Sequence, residues 1–248
     1  MRLSPLPLVI VTAAACGRIG FAPEQPADGP RSDDSHLGDG LICQSPAPVF
    51  VQTQCNSQPA VAASLTATFA AQPAVGHLLV VAADFANTTS KPSVSDSVGN
   101  VFTPIGAVLR GATISTQVWY AVNVASGSDA VTVTLDIATN NLALYIHEYR
   151  LPMPAVDSST MGGGTSQMFS PPTAITMHEN DLLFAFGVIS GVTVTSIDSA
   201  FTVRGRCNGN LAADSIAPVS GPYVATFTAS ASNDWLATLL AFKSLACP

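Results

Sequence analysis

A period-two alternation of apolar and polar side chains, repeated in many short runs, is the feature that most narrows what this chain can fold into. The run DAVTVTLDI (Asp129 to Ile137) puts Val131, Val133, Leu135 and Ile137 on one face and Thr132, Thr134 and Asp136 on the other, the signature of a half-buried antiparallel strand. Similar runs are VFVQTQ, SLTATF, HLLVVAADF, ISTQVWYAVNV, NLALYIHEY, DLLFAFGVIS, FTVRG, YVATFTAS and DWLATLLAFK, separated by turn signals such as SVGN, SGSD and ND. No long segment has helical periodicity. Many short strands punctuated by Gly, Pro and Asn predict an all-β, antiparallel β-sandwich of jelly-roll or Greek-key type.

The strands also echo one another. GHLLVVAADF, VSDSVGNVFTPIG and AVTVTLDIATNNLALYIHEY are followed in the same order by NDLLFAFGVI, VTSIDSAFTVRG and YVATFTASASNDWLATLLAF. This predicts a sandwich built from two similar β units, since either alone would leave an apolar face in water. The run from Gly76 to Tyr149 resembles a β-sandwich module that recurs in large secreted bacterial proteins. Its pattern is an LLVVA strand, VSDSxGN, WYA with a following Asn, AVTVT and EYSG; EYRLP in this chain departs from the last motif. The resemblance implies the fold and no activity.

Charge limits the partners. Only 10% of the 248 residues are charged, the net charge is -7 and the nine Lys and Arg are scattered, which argues against a nucleic-acid partner, because phosphate neutralisation needs a basic stripe. Past the N-terminus no apolar run approaches the roughly 20 residues of a spanning helix.

The N-terminus reads as an address. Met1 and Arg2 precede a mostly apolar run from Leu3 to Ala15, and the small residues Ala13, Ala14 and Ala15 stand before Cys16, the layout of an export signal over residues 1–15. VTAAAC resembles the lipobox of bacterial lipoproteins, apart from Ala13, where that family usually has Leu. The resemblance implies a diacylglycerol on the Cys16 thiol and a third chain on its freed amine. A membrane partner through the lipid anchor follows, because two or three acyl chains hold stably where one holds only marginally. Gly17 is not the Asp that keeps some such lipoproteins in the inner membrane, which points to the outer membrane. Ala13 and Ala15 also satisfy an ordinary signal peptidase, so secretion is the alternative. Residues 16–45, rich in Pro, Gly, Asp and Ser, read as a disordered acidic tether, and 46–248 as the sandwich domain, long enough to bury roughly 70% of its unfolded surface.

Five cysteines are present, and lipidation of Cys16 leaves four that can pair in an oxidising compartment. If the first strand lies antiparallel beside the last, Cys43 meets Cys247 and Cys55 meets Cys207, with pairing between sequence neighbours as the next alternative. Zinc is disfavoured at these cysteines, which lack CxxC spacing.

Catalytic signatures are missing: no GxSxG, no HExxH, no phosphate loop and no EF-hand loop. No cofactor or metal is implied. Gly162, Gly163 and Gly164 read as a flexible loop inside a long connection from Leu151 to Pro172. His36 falls in the tether, and His77 and His178 read as rim residues flanking two similar strands. Asp96 in SDSVGN reads as a turn former, and Trp235 as core. In TQVWYAVNV, Trp119 falls on the more polar face, and in ALYIHEYRL Tyr145, His147 and Tyr149 share the face opposite Leu144 and Ile146. If these strands are neighbours, the four form a candidate ligand-binding patch on the outer sheet, suited to a sugar ring or a partner's apolar side chains; the alternative is that the long connection from Leu151 to Pro172 covers Trp119 and the tyrosines.

Three functions fit these residues. The first is a membrane-anchored, non-catalytic binding or structural module recognising glycan or protein. The second is an extracellular glycan-active hydrolase or lyase using carboxylates such as Glu148, Asp157 and Glu179, which requires two carboxyls about 5 to 9.5 Å apart in a cleft. The third is a purely architectural lipoprotein, which requires no exposed aromatic patch.

Overall fold

A computed structural model describes residues 47–245 except 88, 128 and 129, all within one compact unit. Cys16, Cys43 and Cys247, and with them the signal, tether and lipidation readings, lie outside the described residues. The described chain is all-β, without a helix among the described residues. It divides into two halves. The first holds β1 (Val49–Gln58), β2 (Ala62–Thr68), β3 (Leu78–Ala86), β4 (Pro92–Asp96), β5 (Thr103–Pro104), β6 (Leu109–Arg110), β7 (Ile114–Ala121), β8 (Ala130–Thr139) and β9 (Leu142–Arg150). The second holds β10 (Pro154–Phe169), β11 (Ala174–Thr176), β12 (Asp181–Ile189), β13 (Val194–Ile197), β14 (Thr202–Cys207), β15 (Asn210–Ala217), β16 (Gly221–Tyr223) and β17 (Phe227–Ser244).

The echo in the sequence is a duplication in space. One central sheet has the order β1-β9-β3-β7-β5 and the other β10-β17-β12-β15-β14, so corresponding strands occupy corresponding places. Even an irregularity repeats. The ladder slips by one residue at Val51 in β1 and at Asp157 in β10, a bulge that bends each first strand at the same point.

The two central sheets face each other, and each is covered again on its other side. From β3, Leu78, Val80 and Ala82 meet Leu182, Phe184, Phe186 and Val188 of β12 across the seam. The alternate residues Leu79, Val81, Ala83 and Phe85 pack beneath Val131, Val133 and Leu135 of an outer sheet ordered β2-β8-β4. Likewise Leu183, Ala185 and Ile189 turn to an outer layer carrying Ala174, Val194 and Phe227. Burial on both faces explains why β3 and β12 are continuously apolar while β8 alternates. In β8 the alternation holds from Val131 to Leu135, and Ile137 is exposed.

Aromatic pairs cross the seam edge to face: Tyr145 with Phe186 at 4.8 Å, His147 with Phe184 at 5.0 Å and Tyr120 with Phe242 at 5.6 Å between ring centroids. Such pairs add about 0.5–1.5 kcal/mol each beyond the area they bury.

Two expectations are corrected. The stretch from Leu151 to Pro172 is mostly β10, and its glycines are strand residues paired with β17: Gly162 with Ala237, Gly163 with Leu236 and Gly164 with Trp235. The reason is steric. A Cβ on Gly163 would lie 2.7 Å from the Leu236 side chain and one on Gly164 3.2 Å from the Trp235 ring, so the small residues let β17 and its indole lie flat. The first strand also does not pair with the last. β1 lies beside β9, and β17 is held between β10 and β12.

Candidate functional site

The four residues of the candidate patch are all inside, covered by stacked sheets and not by a loop. Tyr145, His147 and Tyr149 do share a face of β9, with 0% exposure, and that face is the seam. Trp119 is 3% exposed on the opposite face of the same sheet, against the outer sheet of the first half. No common patch is formed, because these strands belong to a sheet buried on both sides. The tyrosines and histidine serve packing. His147 shares a hydrogen bond with the Thr53 hydroxyl at 3.0 Å, and burial, helped by the nearby Arg204 charge, lowers its pKa to about 3, so it is a neutral core side chain.

Two of the three carboxylates proposed for hydrolysis are held by other groups of the protein. Glu148 accepts from Gln52 Nε2, the Ala74 amide and His77 Nδ1 at 2.6, 2.9 and 2.6 Å. Asp157 is engaged with His178 at 3.0 Å, and Glu179 is exposed on the turn before β12. His77 and His178 thus stand at the rim, each joined to a carboxylate. Asp96 forms its turn as expected, its Oδ1 accepting from the amides of Val98, Gly99 and Asn100. Trp235 stacks on Phe169 at 5.1 Å.

The seam itself opens into a cavity of about 320 Å³ at the end where β3 and β12 finish. Asp84 and Phe85 contribute from β3, Ile189 from β12, and the rim comes from turns of both halves: Thr113, Asn141, Ser190 to Thr193, and Asn208 to Asn210. The hairpin joining β14 and β15 follows from its sequence. Asn208 and Gly209 have φ of 47° and 78°, the left-handed pair that a two-residue turn of primed type requires and that Asn-Gly supplies at least cost. The Cys55–Cys207 disulfide, of the expected pairing, then ties this hairpin to β1, joining two strands whose cysteines are 152 residues apart. A second cavity of about 300 Å³ lies against the same hairpin.

Asp84 is the chemically distinctive residue here. It falls at the seam-facing position that follows Leu78, Val80 and Ala82, is 3% exposed, and has Oδ2 3.2 Å from the Asn208 side-chain amide that donates to it. Its Oδ1 has no protein partner. Burial raises its pKa from 3.8 to about 7, against the opposing pull of the Asn208 hydrogen bond and of the neighbouring polar side chains of Asn210 and Tyr145. Nearby, Asn210 Oδ1 accepts from the Ile189 amide at 3.0 Å, fixing the hairpin to the end of β12. The cavity therefore offers amides, hydroxyls and a single carboxyl. That set can exchange hydrogen bonds with a hydroxyl-rich ligand, and it lacks the paired acid and base of glycoside hydrolysis. The lone Asp in HLLVVAADF was the signal in the sequence for this site.

Compared with known proteins, the chain matches no family model, no curated protein and no solved structure. The fold and cavity define an all-β double sandwich with a polar site at its seam.

Proposed function

We propose that this chain is a non-catalytic binding module, exported and held at the cell envelope through lipid on Cys16, in the outer membrane, that takes a hydroxyl-rich ligand of the glycan class at its seam. One observation carries the reading: a cavity of about 320 Å³ is lined by asparagine, serine and threonine, with the buried Asp84 carboxyl in its wall. That volume lies at the lower end of small-ligand sites and suits one sugar residue rather than a polypeptide. Burial of Trp119 and Tyr149 removes the aromatic-surface route to the same function and satisfies what the architectural alternative requires. The seam cavity is what favours binding over scaffolding.

A glycan array probed with the soluble body tests the reading. Binding to a defined set of glycans is expected, with a loss of at least tenfold in Asn208→Lys, whose long cationic side chain blocks the mouth. A flat array would overturn ligand binding in favour of scaffolding. The anchor is tested by labelling cells with a fatty-acid analogue. The wild type is expected to incorporate label and Cys16→Ala to lose it; incorporation that survives the substitution would refute lipidation at Cys16, and an unlabelled wild type would favour secretion.

A further inference from the structure

Away from the seam cavity, the bulge of β10 brings Asp157 to His178 and Asp181, which lie close together in sequence on the turn leading into β12. Asp157 Oδ2 accepts from the Met177 amide at 2.6 Å, and its Oδ1 lies 3.0 Å from His178 Nδ1 and 3.5 Å from Lys243 Nζ. Asp181 opens β12 with 0% exposure, and neither of its oxygens has a hydrogen-bond partner. One ligand atom from each of Asp157, His178 and Asp181 lies within 4.8 Å of the others.

We propose that Asp157, His178 and Asp181 form a binding site for a divalent transition-metal ion of the zinc class. A buried carboxylate with neither oxygen satisfied is costly unless a cation or proton meets it. Two carboxylates and one imidazole are the donor types that zinc takes, at about 2.0–2.2 Å, and a three-ligand site leaves the remaining position to water. Calcium fits worse, since it calls for six to eight oxygens. The side chains need to close in around the ion, and His178, 45% exposed, has the freedom to do so, its Nδ1 exchanging the Asp157 contact for the metal. Asp157 and Asp181 stay fixed by the strands that carry them.

Lys243 opposes metal binding at this cluster. Its ammonium is the cation now nearest to Asp157, so it competes with the metal by charge and must swing outward when the ion binds. At 24% exposure its flexible stem allows that. The site is therefore weakened by one particular neighbour, which a merely structural cluster would not show.

Isothermal titration of the metal-stripped protein with zinc chloride, paralleled by the visible absorption of added cobalt(II), tests this. One equivalent is expected to bind, with affinity lowered at least tenfold in Asp181→Asn and in His178→Ala and raised several-fold in Lys243→Met. Because His178 is at the surface, its variant keeps the fold even if Asp181→Asn does not. Absence of a cobalt spectrum in the wild type, or zinc binding unchanged by His178→Ala, would overturn the site. If zinc fails to bind while Asp181→Asn stabilises the protein at pH 8, a proton shared by the two carboxyls is the correct account.

Discussion

Replacing Cys55 or Cys207 with Ser lowers stability by roughly 5 kcal/mol in the chain-entropy account of a cross-link closing so long a loop, the bridged cysteines being 152 residues apart. The expectation rests on where the bridge lies. β1 is an edge strand of the first central sheet and β14 an edge strand of the second, so the bond staples the two halves at one side of the seam and shortens the unfolded chain's excursions. The seam keeps its aromatic pairs and its buried leucines without the bridge, so the reduced protein is expected to fold. Urea unfolding followed by tryptophan fluorescence is the measurement. With about 2 kcal/mol per molar as a typical slope, the midpoint falls by about 2 M or more. A shift below about 0.5 M in both single variants would show that the seam contacts alone fix the halves.

How far the sequence discloses this molecule depends on what period two can and cannot tell. Val131, Val133 and Leu135 against Thr132 and Thr134 specify a half-buried strand, and the order of strands specifies the duplication. The same rule places Tyr145, His147 and Tyr149 on one face correctly. It does not say what covers that face. A tyrosine and histidine face reads as an outer surface until a second sheet is known to lie over it, and only the duplication stacked on itself supplies that sheet. The glycines of β10 mislead for a related reason: composition suggests a loop, whereas their smallness answers the bulk of Trp235 on the paired strand. Asp157 meets Asp181 through a bulge and a turn, neither written locally. The Cys55 to Cys207 pairing is correct although the strand adjacency used to argue it is not, since β1 reaches β14 across the stacked sheets rather than along one.

Asp84→Asn is expected to stabilise the protein by a few kcal/mol at pH 8 and to flatten its dependence on pH. In the unfolded chain this carboxyl ionises near 3.8; in the folded protein burial holds its proton until about pH 7. Between those values the unfolded state has released a proton that the native state keeps, so native stability falls as pH rises through the window and levels off above it. At 1.36 kcal/mol per pH unit the loss is on the order of 4 kcal/mol. Asp181, raised to about 7 by burial and by neighbouring Asp157, acts in the same direction. His147 opposes both. Held to about 3 in the core, it stays neutral while the unfolded imidazole gains a proton below about 6.5, so its contribution weakens stability as pH falls from about 6.5 to 3. Two carboxyls outweigh one imidazole, and the wild type should be more stable at pH 5 than at pH 8. Thermal or urea unfolding across pH 4 to 8 separates the contributions. Asp84→Asn removes part of the decline toward neutral pH, and His147→Phe, which preserves the ring against Phe184, makes that decline steeper between pH 4 and 6.5. An Asp84→Asn profile parallel to the wild type would mean that the Asp84 carboxyl is already ionised at pH 5.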